Sequence, residues 1–384
     1  MTEQLPQKKI RLLSLDAFRG LTVASMLLVN NPGDWGNIYA PLKHAEWNGC
    51  TPTDLVFPFF LFISGVSVSY ALGSKRESSE DHAAIITKVL KRSLILFGLG
   101  LLLGFIPNIF LEPAETLKTF RIPGVLQRIA LVYFAVSLIF LKTGWRMQSV
   151  ILAFLLIFYW ILMSFVPVPG TGYANLEPET NLGAWLDRLI ITEPHLWKHS
   201  RTWDPEGLLG TLPAIGTGLS GVLTGTWLRR RDLDDKKRIS LMLIFGIGSC
   251  AAGLLWDLHF PINKSLWTSS YVLFSSGLAI IFLAFFYWLI DIKNMKAGIV
   301  PLLAYGVNAI TAFFMSGLMA KMLGFIKVSM PDGTETSLKG WIYNSFFTPY
   351  FSDYNASLAF AIAFVLFWLV ILWWMYARKV IIKI

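Results

Sequence analysis

Long apolar runs, separated by shorter polar segments, recur along the whole chain. Each run is close to the roughly 20 residues that a helix needs to cross the hydrocarbon core of a bilayer. The pattern predicts ten transmembrane helices, at residues 15–30, 55–72, 89–106, 125–141, 150–166, 208–228, 241–258, 271–290, 300–322 and 358–376. We therefore expect an all-α, polytopic membrane protein, with residues 1–10 as a cytoplasmic tail and residues 11–384 as a single transmembrane domain.

Composition and charge favour a membrane protein over a soluble or nucleic-acid-binding one. Of the 384 residues, 55% are hydrophobic and 15% are charged, which is more apolar surface than a soluble core of ordinary composition can bury. The net charge is +9, but about two-thirds of the 33 Lys and Arg residues fall in alternate loops, as expected for positive cytoplasmic loops. This bias predicts cytoplasmic termini and explains the charge without nucleic acid. The first helix is expected to act as its own signal anchor.

Three connections on the predicted outer side are much longer than the others. They are the first, second and third outer loops, at residues 31–54, 167–206 and 324–355. Long loops in a compact fold usually carry a function or are disordered. Because all three are predicted on one side of the membrane, we expect them to build an outer vestibule for a substrate.

His44 lies in the first outer loop and is the best catalytic candidate. Near neutral pH an imidazole can take a proton from an amine or a hydroxyl, or attack an acyl group itself. Trp47, three residues later, is a candidate substrate contact. Asn30, at the outer end of the first predicted helix, is a candidate to stabilise an oxyanion, and the alternative is that it caps the end of that helix.

The carboxylates of Asp54, Asp204 and Glu206 have two interpretations. Each lies at the predicted start of a span, where an acid caps a helix or complements its dipole. Each also faces the predicted vestibule, so all three are candidate substrate contacts.

Arg128 and Asn308 are polar residues inside predicted spans. An ionised group at this depth needs a partner or a water-filled cavity, so Arg128 is a candidate substrate contact unless it snorkels to the outer surface. Asn308 either lines a cavity or bonds a neighbouring helix.

The sequence predicts no metal site. His195 and His199 are four residues apart, as helical metal ligands can be, but Pro194 and the lack of an HExxH pattern argue against a metal there. Cys50 and Cys250 form no disulfide framework and are interpreted as isolated thiols.

Six short motifs follow one another along the chain. They are RLLSLDAFRG at 11–20, KHAEWNG at 43–49, DLVFP at 54–58, GVLQR at 124–128, WDPEG at 203–207 and INKSLW at 262–267. Together they resemble the heparan-α-glucosaminide N-acetyltransferase family and its bacterial members, over nearly the whole membrane domain. The DAFRG part also resembles the opening of the acyltransferase-3 membrane enzymes.

The resemblance implies transfer of an acetyl group from cytoplasmic acetyl-CoA, the donor substrate, to the amine of a glucosamine-type sugar on the periplasmic side. His44 matches the catalytic histidine of the family and Asn30 matches a site asparagine. Asn263 and Lys264 are candidate substrate contacts, with a solvated turn as the alternative. The implied setting is the bacterial inner membrane, with an amino sugar or glycan, acetyl-CoA and the lipid bilayer as partners, and a homodimer is compatible with it.

Arg19 and Arg92, near the predicted cytoplasmic ends of the first and third spans, are candidate contacts for the phosphates of coenzyme A. Asn308 is a further candidate donor contact. The alternative for the two arginines is that they only set the topology.

The sequence leaves open two routes and two other functions. His44 either carries the acetyl group or deprotonates the amine for direct transfer. A sugar transporter, for example of N-acetylglucosamine, would use similar helices and loops, although no internal repeat is visible. O-acetylation of a surface glycan is the other alternative.

Overall fold

Helices make up most of the computed structural model, which describes residues 12–77, 82–230, 232–330 and 333–382. The predicted tail at 1–10 lies outside the described residues. The helices are α1 Leu13–Asn30, α2 Val56–Glu77, α3 His82–Phe105, α4 Pro113–Thr119, α5 Val125–Lys142, α6 Trp145–Phe165, α7 Leu182–Ile190, α8 Thr211–Leu228, α9 Asp235–Asp257, α10 Ser269–Phe286, α11 Val300–Val307, α12 Ala309–Phe325, α13 Leu338–Phe346 and α14 Asp353–Ala377. A π-helical turn at Tyr287–Ile292 extends α10.

A helix occupies each of the ten predicted spans. Six helices in the described part of the chain (α2, α5, α6, α9, α10 and α14) are long and apolar enough to cross a membrane. A seventh span results if α11 and α12 are counted together. The all-α, polytopic membrane fold is therefore confirmed, and the number ten stays a prediction.

The ninth predicted span is not one continuous helix. The chain breaks at Asn308, whose backbone leaves helical geometry at φ −112° and ψ 36°, and α12 is bent by 81° from α11. The Asn308 carboxamide donates to the Val380 carbonyl and accepts from the Ile382 N–H. The sequence predicted a span over 300–322 but did not indicate this break, because an apolar run does not show where a buried side chain bonds to distant backbone.

The three outer loops contain short elements of their own. The second holds α7, and the third holds α13 and an antiparallel pair of strands, β1 Lys327–Ser329 and β2 Glu335–Ser337. The first loop contacts the second, because Trp47 Nε1 donates to the Leu176 carbonyl at 3.0 Å. A further outer helix, α4, was not predicted, since its seven residues lie in a connection too short to look like a long loop.

Glycines allow the central helices α2 and α8 to approach closely. A Cβ atom added at Gly65 would lie 2.0 Å from the Gly218 carbonyl oxygen, and one added at Gly221 would lie 2.0 Å from the Phe62 carbonyl oxygen. Small residues at such crossings let helix backbones pack together inside a membrane.

We expect Gly65→Val to lower the apparent Tm by about 5 °C or more, because the added side chain collides with backbone that cannot move without separating two helices. Gly98→Val in α3 is the matched control, since a Cβ there meets nothing within 4 Å. Thermal unfolding of both purified variants in detergent measures the effect. Equal losses in the two variants would contradict the helix contact as the cause.

Candidate active site

His44 and Asp54 form a hydrogen-bonded pair at the outer end of α2. His44 Nδ1 lies 2.6 Å from Asp54 Oδ1. The imidazole is half-exposed, whereas the carboxylate is buried, with side-chain exposures of 50% and 1%. A fixed carboxylate behind a reachable imidazole is the arrangement that orients a general base or nucleophile.

Asp54 is also part of a capping box, as one of its two interpretations predicted, and its contact with substrate stays a prediction. Its Oδ2 accepts from the Ala45 N–H at 3.0 Å, and from the N–H and hydroxyl of Thr51 at 3.0 and 3.1 Å. The predicted cap is confirmed. Because these donors occupy Oδ2, Oδ1 is left to accept from His44, which places the proton on Nδ1 and the free lone pair on Nε2.

A cavity of about 80 Å³, here called the reaction cavity, lies beside this pair. His44, Asn30, Glu206 and Lys264 line it, together with apolar side chains of α1, α2, α5 and α12. The alternative that Asn30 caps the end of α1 is wrong, because it is the Asn31 carboxamide that donates to the Leu27 carbonyl at that helix end. Four polar candidates from four segments therefore meet at one small apolar cavity.

Glu206 is held by Arg121, a residue that the sequence did not single out. The Arg121 guanidinium donates to both oxygens of Asp204, at 2.7 and 2.5 Å, and also to Glu206. Burial raises the pKa of Glu206, but the charges of Arg121 and Lys264 outweigh it and hold that pKa below its ordinary value. The predicted helix-capping role of Asp204 and Glu206 is wrong, since α8 begins only at Thr211 with no side-chain cap.

Arg128 is buried and does not snorkel, so the snorkelling alternative is wrong. The residue is 2% exposed, and its guanidinium donates to the carbonyls of Pro205 and Gly207 at 2.9 and 2.7 Å. Its charge lies 5.2 Å from the Trp267 ring centre. Arg128 thus clamps the backbone on both sides of Glu206, and its predicted contact with substrate stays a prediction.

A second buried carboxylate supports the same loop from the other side. Asp187 of α7 accepts from the Leu208 N–H at 2.8 Å. Burial raises the pKa of Asp187 to about 7. The segment from Asp204 to Leu208 is therefore fixed by α5, α7 and Arg121 together.

Asn263 and Lys264 have different environments. Asn263 is fully buried, donates to the Asn48 side chain at 3.1 Å and accepts from the Leu266 N–H at 2.8 Å. The interpretation of Asn263 as part of a solvated turn is therefore wrong. Its side chain joins the connection between α9 and α10 to the first outer loop. Lys264 lines the reaction cavity.

Trp47 and Cys50 flank the site without lining its cavity. Trp47 packs edge-on against Trp203, with ring centres 5.0 Å apart, so it joins two outer loops, and its contact with substrate stays a prediction. Burial, with the charge of Asp54, raises the pKa of the Cys50 thiol to about 12. A thiol that stays protonated is a poor nucleophile, which leaves the imidazole as the nucleophilic group here.

A second cavity, of about 300 Å³, lies near the amino-terminal half of α1 and is here called the inner cavity. Arg19 and Arg92 both line it. Arg19 donates to Ser67 Oγ at 2.7 Å and pairs with Asp16 at 2.9 Å. Arg92 lies 4.9 Å from the Tyr133 ring centre. Within the described residues, the buried Arg92 Nε has no hydrogen-bond partner.

Asn308 does not line the inner cavity, whereas the residues beside it in the chain do. Gly306, Val307 and Ala309 line that cavity, while the Asn308 carboxamide is bonded to the segment after α14. The bonded group is therefore a chain segment rather than a neighbouring helix, and a donor contact by Asn308 stays a prediction.

The two cavities adjoin each other. Phe60, Ile129 and Ile310 line both of them. These three apolar side chains, here called the apolar partition, therefore lie between the reaction cavity and the inner cavity.

A third and larger cavity, of about 860 Å³, opens beside the reaction cavity and is here called the outer cleft. It shares Val125, Leu126 and Phe313 with the reaction cavity. Its polar wall comes from α4 and the second outer loop, and includes Glu112, Glu115, Glu193, Trp197, Lys198, His199 and Arg201. The second outer loop thus lines an outer cleft, as the predicted vestibule required, but the described residues of the first and third outer loops do not line it. The opposite wall at α4 was not predicted, because it is far from the second loop in the chain.

In the described ranges, no group of three or more His, Cys, Asp or Glu side chains is placed to hold a metal ion. His195 bonds instead to the Phe120 carbonyl, at 2.8 Å.

Residues 11–248 match the family model described as heparan-alpha-glucosaminide N-acetyltransferase, catalytic. The chain belongs to this family of transmembrane acetyltransferases. The human (Homo sapiens) heparan-alpha-glucosaminide N-acetyltransferase is 32% identical over 357 residues, which cover 79% of this chain. The mouse (Mus musculus) protein of the same name is 31% identical over 356 residues.

The chain spans about half the length of these relatives, 52% of the human and 53% of the mouse protein. The matched family region contains the His44–Asp54 pair, the Arg121 network and both arginines of the inner cavity, and it ends before Asn263. The resemblance inferred from the six motifs is therefore confirmed.

Proposed function

We propose that this protein transfers an acetyl group from cytoplasmic acetyl-CoA to the amine of a glucosamine-type sugar on the periplasmic side of a bacterial inner membrane. The observation that carries the proposal is the apolar partition. A cavity with two arginines and a cavity with the His44–Asp54 pair share the side chains of Phe60, Ile129 and Ile310. An acetyl group would therefore have to pass only these three side chains to move from the inner cavity to the reaction cavity.

The inner cavity suits the donor. Coenzyme A carries phosphates, and guanidinium groups bind phosphate oxygens through paired hydrogen bonds. Arg19 and Arg92 supply two such groups. The apolar far end of the cavity then faces the acetyl thioester, which is uncharged.

The outer cleft suits the acceptor. It combines acidic and basic side chains with an aromatic ring, Trp197, and its 860 Å³ exceeds the space that one sugar ring fills. At its inner end, Glu206 lies in the reaction cavity with His44. A carboxylate there attracts an ammonium group and holds the sugar amine beside the imidazole.

The residues that line the reaction cavity have roles both in direct transfer and in the two-step route through an acetylated His44. In direct transfer, the amine nitrogen attacks the thioester carbon, His44 Nε2 takes the amine proton, and the C–S bond breaks to release coenzyme A. In the two-step route, Nε2 attacks the thioester carbon and the C–S bond breaks to release coenzyme A. The amine nitrogen then attacks the acetyl carbon, the bond between that carbon and Nε2 breaks, and the freed Nε2 takes the amine proton. In both, Lys264 and the Asn30 amide are the groups that stabilise the oxyanion.

Proteoliposomes with acetyl-CoA on one face and glucosamine on the other test the proposal. We expect N-acetylglucosamine, identified by mass spectrometry, to appear only when the donor is present. Accumulation of unmodified sugar without donor would indicate a transporter, and an O-acetylated product would indicate a glycan O-acetyltransferase. Incubation with labelled acetyl-CoA alone separates the routes, because only the two-step route leaves acetylated protein.

Asp54→Asn is expected to lower kcat by roughly 10²–10⁴-fold, because an amide at this place can donate to Nδ1 and so move the ring proton to Nε2. Initial rates of acetyl transfer at saturating substrates measure the loss. Thr51→Ala is the control, since it removes the hydroxyl contacts of the same cap, to Asp54 and to the Lys43 carbonyl, without replacing either member of the His44–Asp54 pair. Equal activity of the two variants would show that Asp54 acts only as a cap.

A further inference from the structure

The chain reverses direction directly after α14. Lys379 has a left-handed backbone, with φ +57°, and the Val380 N–H donates back to the Met375 carbonyl at 2.8 Å. These two features turn residues 380–382, here called the return segment, back along the helix bundle.

Asn308 fastens the return segment. Its Nδ2 donates to the Val380 carbonyl at 3.0 Å, and its Oδ1 accepts from the Ile382 N–H at 3.1 Å. The carboxamide thus pairs with backbone on both sides of residue 381, as a neighbouring strand would. Asn308 is only 1% exposed, so losing these bonds would leave a buried polar group without partners.

The fastened segment reaches the inner cavity. Ile382 lines this cavity together with Arg19 and Arg92. Four residues next to the helix break, Gly306, Val307, Ala309 and Ile310, line it as well. The break at Asn308 and the return segment therefore build one side of the same cavity.

We propose that the return segment, fixed by Asn308, is a wall of the acyl-donor site that contacts the bound thioester donor. The inference rests on the proposed function, because it takes the inner cavity as the donor site. Ile382 supplies apolar surface for the uncharged part of the donor, while the arginines bind the phosphates. Asn308 is a positioning residue, which acts on the donor only through the segment it holds.

Steady-state kinetics test the wall. Asn308→Ala and Ile382→Ala are each expected to raise the KM for acetyl-CoA by roughly tenfold, which corresponds to about 1.4 kcal/mol of lost binding, while the KM for the sugar changes by less than about twofold. Asn175→Ala is the control, since the side chain of this half-buried outer-loop residue bonds to the nearby residues Thr180 and Glu177. An unchanged or lowered KM for acetyl-CoA, or an equal rise for both substrates, would overturn the wall.

Cysteine labelling tests the same contact without activity. In a Cys50→Ala, Cys250→Ala background, Ile382→Cys reports on the return segment and Ser64→Cys reports on the cavity wall formed by α2. We expect acetyl-CoA to slow maleimide labelling of both positions. Protection of position 64 alone would refute the wall and leave the donor cavity standing. No protection at either position would refute both proposals.

Discussion

His44→Ala is expected to lower kcat for acetyl transfer at least about a thousandfold, because both routes use the imidazole and no neighbouring group replaces it. The buried Cys50 thiol, whose pKa is raised to about 12, is not a substitute nucleophile at neutral pH. Rates measured with purified protein at saturating acetyl-CoA and amino sugar give the size of the loss.

His259→Ala is the matched control, since this exposed histidine lies outside the reaction cavity. Its kcat should stay within about twofold of the unmodified protein. Full activity of His44→Ala in a folded sample would remove the imidazole from the mechanism, whichever sugar is the acceptor.

Arg121→Gln is expected to lower the free energy of unfolding by about 3 kcal/mol or more, because it removes the partner of two buried carboxylates. Asp204 and Glu206 have side-chain exposures of 0% and 5%, and both bond to Arg121. Thermal unfolding should show a fall in apparent Tm of roughly 5–10 °C. Glu206 would also lose its fixed position in the reaction cavity, so acetyl transfer should fall as well.

Arg230→Gln provides a matched control of similar geometry. Arg230 and Asp232 also pair through two hydrogen bonds, at 3.0 and 2.5 Å, but both side chains are exposed to about half of their surface or more. Exposed pairs contribute little to stability, so its Tm should hardly change. Equal losses in the two variants would contradict burial as the cause.

The pH dependence gives a second check on the same network. The pKa of Glu206 is held below its ordinary value in the folded protein, so its stabilising contribution is present above that ordinary value and is lost as the pH falls through the lowered pKa. Without the positive charge of Arg121, burial of the Glu206 carboxylate is expected to raise its pKa, so that it takes up a proton at a higher pH. The difference in Tm between Arg121→Gln and the unmodified protein should therefore shrink in acid.

The apolar pattern of the sequence was enough to predict the all-α membrane fold and a helix at each long apolar run, because a run that must cross a bilayer has few alternatives. His44 and Asp54 could also be identified as candidates from the sequence, because both lie close to the start of one helix, only ten residues apart. Arg121 was not, because its partners Asp204 and Glu206 lie more than 80 residues away and nothing local marks the pairing.

The same limit explains the errors. The snorkelling alternative for Arg128 is wrong, because the carbonyls that bind its guanidinium come from the segment before α8, which is distant in the chain. The helix break at Asn308 was not predicted, because the partners of its side chain, Val380 and Ile382, lie more than 70 residues away in the chain. The sequence thus correctly indicates that a polar side chain within a span needs a bonding partner. It does not identify that partner, because the partner depends on the tertiary fold.

The side chains of Phe60, Ile129 and Ile310 have a consequence for energy conservation. A hydrated ion crosses protein only along continuous water, and a short hydrophobic constriction without water stops it. If the proposed reaction is correct, these three side chains between the inner cavity and the reaction cavity would let an uncharged acetyl group pass while protons and sodium ions stay behind. The proposed acetyl transfer would then run in an energised membrane without dissipating the ion gradient across it.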